Sequence, residues 1–170
     1  MLTPGASDPA RVGLATPADA GSLIDLILAF RDHLGDSRPS RDAVGRSLGE
    51  LLRDPRTDFL LARATGGEAV GYAQLRHRIS LWTSGLESEI EDLFVVASAR
   101  RRGTGAALLA CAIARARERD SRAVGLATNE RNAAALRLYR AAELSAERGR
   151  WKGGRQLWLR RLLDDGAGEG

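Results

Sequence analysis

The residues with the clearest chemical potential lie between positions 89 and 106. There Glu89-Ile90-Glu91-Asp92-Leu93-Phe94-Val95-Val96 reads as a strand, and Ala97-Ser98-Ala99 leads into Arg100-Arg101-Arg102-Gly103-Thr104-Gly105-Ala106, where a helical pattern begins. The first turn of a helix carries backbone N–H groups without acceptors and the positive end of the helix dipole, which makes it a ready anion site. Gly103 and Gly105 let the backbone approach a phosphate where a Cβ would collide, and three arginines add positive charge. A pyrophosphate is the expected ligand. The NTPase phosphate loop does not fit, because no lysine followed by Ser or Thr is present. The dinucleotide fingerprint does not fit either, because its third glycine is missing and the strand comes late in the chain. A βα turn that merely contains glycine and arginine is the plain alternative.

Other polar residues weigh less. Strand periodicity puts Glu87, Glu89 and Glu91 on one face and turns Asp92 to the other. Cys111 is the only cysteine, so no intrachain disulfide forms, and its place in an alanine-rich helical run suits a core-facing thiol better than a nucleophile. With two histidines, His33 and His77, and no close Cys/His grouping, no metal site is expected.

These residues need a scaffold. Arg11 to Ala15 reads as a short strand, and Thr16-Pro17 as a cap and first turn. Apolar spacing predicts helices over Ala18 to His33 and Ser40 to Arg53. A hairpin is expected from Asp58 to Ala64 and from Glu68 to Ile79 around Gly66-Gly67, with Leu81 to Gly85 as a loop and Leu86 to Val96 as the next strand. A long helix follows from Gly103 to Arg119, then a strand over Ala123 to Thr128 and a helix over Asn132 to Ala141. Two last strands are expected around Leu144 to Arg148 and Gln156 to Leu162, ahead of a flexible glycine-rich tail. The order β-α-α-β-β-β-α-β-α-β-β predicts an α/β (α+β) fold, a mixed sheet flanked by helices rather than a doubly wound parallel one.

Length and composition agree with one such domain. A chain of 170 residues with 44% apolar content suits a single globular unit, with an ordered core over about 11–162. No apolar run reaches the roughly 18 residues of a membrane span. The first ten residues lack the basic and apolar regions of a signal peptide, so a cytoplasmic location is expected. The formal charge of +4 comes almost wholly from arginines scattered among acids, with Lys152 the only lysine, and this argues against a nucleic-acid partner.

The loop and the segment after it together resemble the GNAT superfamily of N-acetyltransferases. The family's pyrophosphate motif is Arg/Gln-x-x-Gly-x-Gly/Ala, and Arg100, Gly103 and Gly105 fill its defined positions. Downstream, the family shows a strand, an asparagine and a helix ending in tyrosine; here Leu126 to Asn129 is followed by Asn132 and Tyr139. The resemblance is strongest over residues 86–144. One departure is visible, since the family's Gly-Phe after the tyrosine helix is replaced by Glu143-Leu144.

The resemblance implies a mostly antiparallel central sheet, acetyl-CoA as cosubstrate, and transfer of its acetyl group to an amine in a ternary complex. The amine must lose a proton, the oxyanion must be stabilised, and the thiolate must gain a proton. By resemblance, the backbone near Leu93, Phe94 and Val95 pairs with the pantetheine arm and supplies an oxyanion donor. Arg100, Arg101, Arg102, Gly103, Thr104, Gly105 and Ala106 hold the pyrophosphate. Asn132 hydrogen-bonds the cofactor, or else caps a helix. Tyr139 is the general acid at the sulfur. Glu91 is the first choice of base, directly or through water, because burial in the sheet would raise its pKa. Glu91-Asp92-Leu93-Phe94-Val95 also looks like the strand of the diamine (spermidine/spermine-type) acetyltransferase branch, where the acidic pair meets the amine. That assigns Asp92 to the substrate, with Trp82 and His33 as further pocket walls. A small cationic amine is thus the expected acceptor, and a homodimer the expected assembly. A peptide acetyltransferase and a non-catalytic acyl-CoA sensor remain alternatives.

Overall fold

A computed structural model describes residues 10–145. Nine elements follow in the order β1 (Arg11–Leu14), α1 (Ala20–His33), α2 (Arg41–Leu51), β2 (Thr57–Arg63), β3 (Ala69–Ser80), β4 (Gly85–Val95), α3 (Thr104–Glu118), β5 (Ala123–Leu126) and α4 (Ala133–Ala141). The expected order holds through α4. Of the two last strands, the first would begin at Leu144 and Ser145, which are not in a strand, and the rest of both lies outside the described residues.

Local chemistry sets the boundaries. The Asp19 carboxylate accepts from the Thr16 backbone N–H at 2.8 Å, closing the turn that opens α1. Ser40 caps α2 through a bond from the Ala43 N–H. Gly103, at φ +82°, is the N-cap of α3.

The sheet runs β1-β2-β3-β4-β5. The first three pairings are antiparallel, and β5 lies parallel to β4. Two apolar clusters sandwich it. On one face α3 covers Leu60, Ala62, Ala73, Leu75, Ile90 and Val95. On the other, Leu23 and Leu26 of α1 and Leu48 of α2 meet Phe59, Leu61, Tyr72 and Phe94. Central strands buried on both sides read as near-continuous apolar runs, as β2 does from Phe59 to Ala62.

Two features of β4 matter for the site. Leu75 pairs with Ile90 while Gln74 pairs with Asp92, so Glu91 is an extra residue, a β-bulge. The β5 pairing runs only from Glu87↔Ala123 to Ile90↔Leu126. Beyond Ile90, β4 and β5 part.

Candidate active site

The bulge overturns the simple alternation expected for the acidic strand. Strict periodicity turns Asp92 away from Glu91, but an extra residue resets the phase. The Tyr72 hydroxyl donates to Asp92 Oδ2 at 3.0 Å, and the Gln74 amide donates to Glu91 Oε2 at 2.6 Å. Tyr72 and Gln74 are two apart on β3 and share a face, so Glu91 and Asp92 emerge side by side on the α1 side of the sheet. Glu87 and Glu89 point the same way, with Arg78 3.7 Å from Glu87 across the hairpin.

The environments of the two acids differ. Glu91 is exposed as a residue, yet the desolvation of its carboxyl against the sheet pushes it above its ordinary value; Arg76 opposes this, and the neighbouring Glu89 and Asp92 charges add to it. Burial also raises Asp92, and the Tyr72 hydrogen bond opposes it. Tyr72 is wholly buried, and burial together with the adjacent carboxylate pushes its own pKa far up, so it remains a donor.

Past the bulge, β4 offers backbone. The Val96 N–H donates to Val70 O at 3.0 Å, so the even-numbered residues face β3, and Leu93 and Val95 turn their polar groups to the edge that β5 has left. Val95 O there accepts from Arg100 Nε at 2.8 Å. The Arg100 guanidinium also lies 5.7 Å from the Phe94 ring centroid. Phe94 stacks on Phe30 at 5.2 Å, with the His33 ring 6.0 Å away, so His33 stands beside the acidic pair's strand.

The arginine–glycine loop follows directly. Arg101 and Gly103 both adopt left-handed backbone, at φ +60° and +82°. Such turns gather successive N–H groups toward one side, as anion-binding nests do. Ala107 makes the first bond back to Gly103 O at 2.9 Å, leaving the N–H groups of Thr104, Gly105 and Ala106 without helical acceptors. Thr104 contributes backbone only, because its buried hydroxyl donates to Ala99 O. Arg101, Arg102 and Ala106 are exposed.

Helix α4 closes the far side. A Cβ on Gly105 would lie 3.5 Å from Leu138 and 4.0 Å from Val95, so α4 packs close to the start of α3 and the end of β4. Tyr139, the next residue, packs against the α3-side core, and burial raises its phenol. Asn132 acts as the N-cap of α4, its side chain accepting from the Ala135 N–H at 3.2 Å. The end of β4 at Val95, the 100–106 loop and α4 thus converge.

Trp82 does not join them. It is 98% exposed at the tip of the β3–β4 hairpin, and Gly85 to Asp92 alone spans about 23 Å at ~3.3 Å per residue. Sequence reasoning missed Tyr72 and Gln74. The signal was their period-two placement on β3 opposite the acidic strand, legible only once the hairpin register is known. Among the described residues, no group of three His, Cys, Asp or Glu could hold a metal, and no helix is long and apolar enough to cross a membrane. Cys111 packs partly buried against the core, and burial raises its pKa, which suits an inert thiol.

A family model described as the acetyltransferase (GNAT) family matches residues 26–142. No curated protein gives a significant sequence match. Among solved structures, the chain is similar to an integron cassette protein from the mobile metagenome of Cole Harbour salt marsh, with 28% identity, TM-score 0.76 and 91% of each chain covered. It also resembles the aminoglycoside N-acetyltransferase AAC(6')-Iy in complex with CoA, at 21% identity and TM-score 0.74, covering 94% of this chain and 99% of that one. A third neighbour is the aminoglycoside acetyltransferase meta-AAC0020 from an uncultured soil metagenomic sample, in complex with sisomicin, at 18% identity and TM-score 0.74, with 91% and 97% covered.

Proposed function

Since this chain belongs to the acetyltransferase (GNAT) family and is an acetyl-CoA-dependent N-acetyltransferase, we propose that its acceptor is a primary amine on a small cationic molecule. The observation that carries this reading is the side-by-side pair Glu91 and Asp92, set on one face of β4 where its edge parts from β5. Two carboxylates without a bonded cation form a receptor for ammonium groups, and neither has an ion pair within the described residues. The aminoglycoside acetyltransferases among the solved structures are consistent with a small polycationic acceptor.

Acetyl-CoA supplies the activated acetyl group. Its pyrophosphate suits the free N–H groups of Thr104, Gly105 and Ala106 and the charges of Arg100 to Arg102. The Leu93 and Val95 main chain, turned to the open edge of β4, suits the amide-bearing pantetheine arm. A backbone N–H there would also meet negative charge developing on the acetyl oxygen. Glu91, with its pKa raised, accepts the proton of the attacking amine directly or through a water. Tyr139, kept neutral by burial, donates to the departing sulfur. Asp92 binds the cationic acceptor, and Phe30, Phe94 and His33 wall that side.

A thiol-release assay with acetyl-CoA against polyamines, amino acids, aminoglycosides and short peptides tests the assignment. Turnover is expected with a polycationic small amine. Tyr139→Phe and Glu91→Gln should each lower kcat by ~10²-fold, with acetyl-CoA affinity retained. Turnover on peptides alone would make the acceptor a protein. Tight acetyl-CoA binding without turnover on any acceptor would overturn the polycationic small-amine reading and reopen the choice between an acceptor outside the panel and an acyl-CoA sensor.

A further inference from the structure

Among the described residues Asp92 has one polar partner, and that partner is in the core. Its Oδ2 accepts from the Tyr72 hydroxyl, whose residue is 0% exposed. A buried hydroxyl has a single proton to donate, and no other acceptor within the described residues takes this one. The Tyr72 ring is fixed in turn: it lies 6.5 Å from Phe94 in tilted contact, and it packs among Leu23, Leu26, Leu48 and Phe59. The carboxylate is therefore tied to the buried α1-side core.

The other oxygen, Oδ1, makes no hydrogen bond, and no buried side-chain oxygen within the described residues lacks a partner, so Oδ1 reaches solvent. The charged and polar groups on this face are Glu91 and Glu89 on its own strand, Tyr72, Gln74 and Arg76 on β3, and His33 of α1 and Arg100 on the far sides of the Phe94 ring. Among the described residues no cation is bonded to it. Burial works against its charge, and the Tyr72 bond is what opposes that.

We propose that Tyr72 is a positioning residue for acceptor recognition: its hydroxyl holds Asp92 in one rotamer, ionised and with Oδ1 turned outward, as the counter-charge for an ammonium group of the acceptor. The inference rests on the small-cation reading above and adds to it the part of the core that sets affinity for the acceptor. A charge-assisted hydrogen bond from a preorganised donor favours the ionised carboxylate over the neutral acid. It also removes the rotamer freedom that a solvated aspartate would lose on binding.

Tyr72→Phe deletes one oxygen and keeps the ring. Two readouts separate its roles. The first is the titration of the Asp92 carboxyl carbon, followed by NMR on the protein without substrates; its midpoint should rise by about one unit in the variant. The second is steady-state kinetics near neutral pH with the acceptor found in the panel assay. The acceptor KM should rise about tenfold, with kcat and the acetyl-CoA KM within about twofold. In an Asp92→Asn background, Tyr72→Phe should add nothing to the acceptor KM. An unmoved carboxyl midpoint overturns the proposal, as does a KM increase that persists in the Asp92→Asn background. The NMR arm needs no turnover, so it fails or succeeds independently of the acetyl-transfer reading. Should Tyr72→Phe not fold, the side-chain scalar couplings of Asp92 in the wild-type protein without substrates decide: a single fixed rotamer supports the proposal, and rotamer averaging overturns it.

Discussion

Glu91 carries a carboxyl that the bulge of β4 sets against the Gln74 amide, and its chemistry follows from that placement. Burial raises its pKa above the ordinary 4.5, and Glu89 and Asp92 add to the rise. A base works only when deprotonated, so activity should fall as pH drops through a midpoint above the usual carboxylate range. A pH profile of kcat/KM at saturating acetyl-CoA should show this acidic limb, and Glu91→Gln should remove it. Repeating the profile with an acceptor amine of different pKa separates the limb from the ionisation of the substrate itself. An unchanged limb in Glu91→Gln would assign the proton transfer to water. Tyr139 obeys the opposite requirement: burial holds its proton on, which suits a donor.

At the scale of elements, the end of α4 shows how a missing glycine is accommodated. Glu143 adopts φ +62°, the left-handed conformation that closes a helix. Its N–H bonds to Arg140 O at 3.0 Å, and the Leu144 N–H reaches back to Tyr139 O at 3.0 Å, which completes a Schellman motif. The capping geometry thus survives the loss of the family's glycine, but a side chain with a Cβ is strained there. Glu143→Gly should stabilise the fold by about 1 kcal/mol, raising Tm by roughly 2–4 °C in a domain of this size. Calorimetry checks it; a Tm equal to or below wild type would show that the turn carries no strain. Because Tyr139 is three residues inside that cap, the same variant should leave the Tyr139 helix in place and activity intact.

Over the whole molecule, a buried polar network opposite the acidic face ties four elements together. Asp58 of β2 accepts from His77 Nε2 at 3.1 Å, Arg115 Nε at 2.7 Å and Arg119 Nη2 at 2.9 Å. Burial lowers the His77 pKa, so the ring is neutral near pH 7. A carboxylate cannot donate, which puts the ring proton on Nε2; the Ser88 hydroxyl then donates to Nδ1 at 2.8 Å, and Ser121 donates to Ser88 at 2.6 Å. Serine, histidine and aspartate are aligned, but Ser88 is 0% exposed, so the chain is structural. Burial would raise Asp58, yet the bonds from Arg115 and Arg119 outweigh it and hold it below 3.8. Both groups are depressed in the folded state. The His77 contribution is therefore complete above about pH 6.5 and lost as pH falls through the folded pKa, and the Asp58 contribution is lost in the same way below about pH 3.8. Urea unfolding at pH 7 and pH 5 should show a loss of stability on acidification that His77→Gln reduces. The raised Glu91 and Asp92 act in the opposite direction, so the difference between wild type and variant is the quantity to compare. Equal slopes in both would remove His77 from the account.

The sequence by itself determined the elements and the arginine–glycine loop that opens α3. Helix spacing, the caps at Ser40 and Gly103 and the turn at Gly66-Gly67 are local signals, and they placed α1 to α4 and β2 to β5 within a few residues. The run from Arg100 to Gly105 was legible because glycine, arginine and a helix start are adjacent in the chain. What only the tertiary structure decided were relations across strands. The extra residue at Glu91 exists only as a mismatch between β3 and β4, so no count along one strand could set Asp92 beside it. The same register brought Tyr72 and Gln74 to the two acids and carried Trp82 to the far end of the hairpin. Periodicity reports one strand's own geometry, whereas a bulge, a register and the parting of β4 from β5 are properties of pairs of strands.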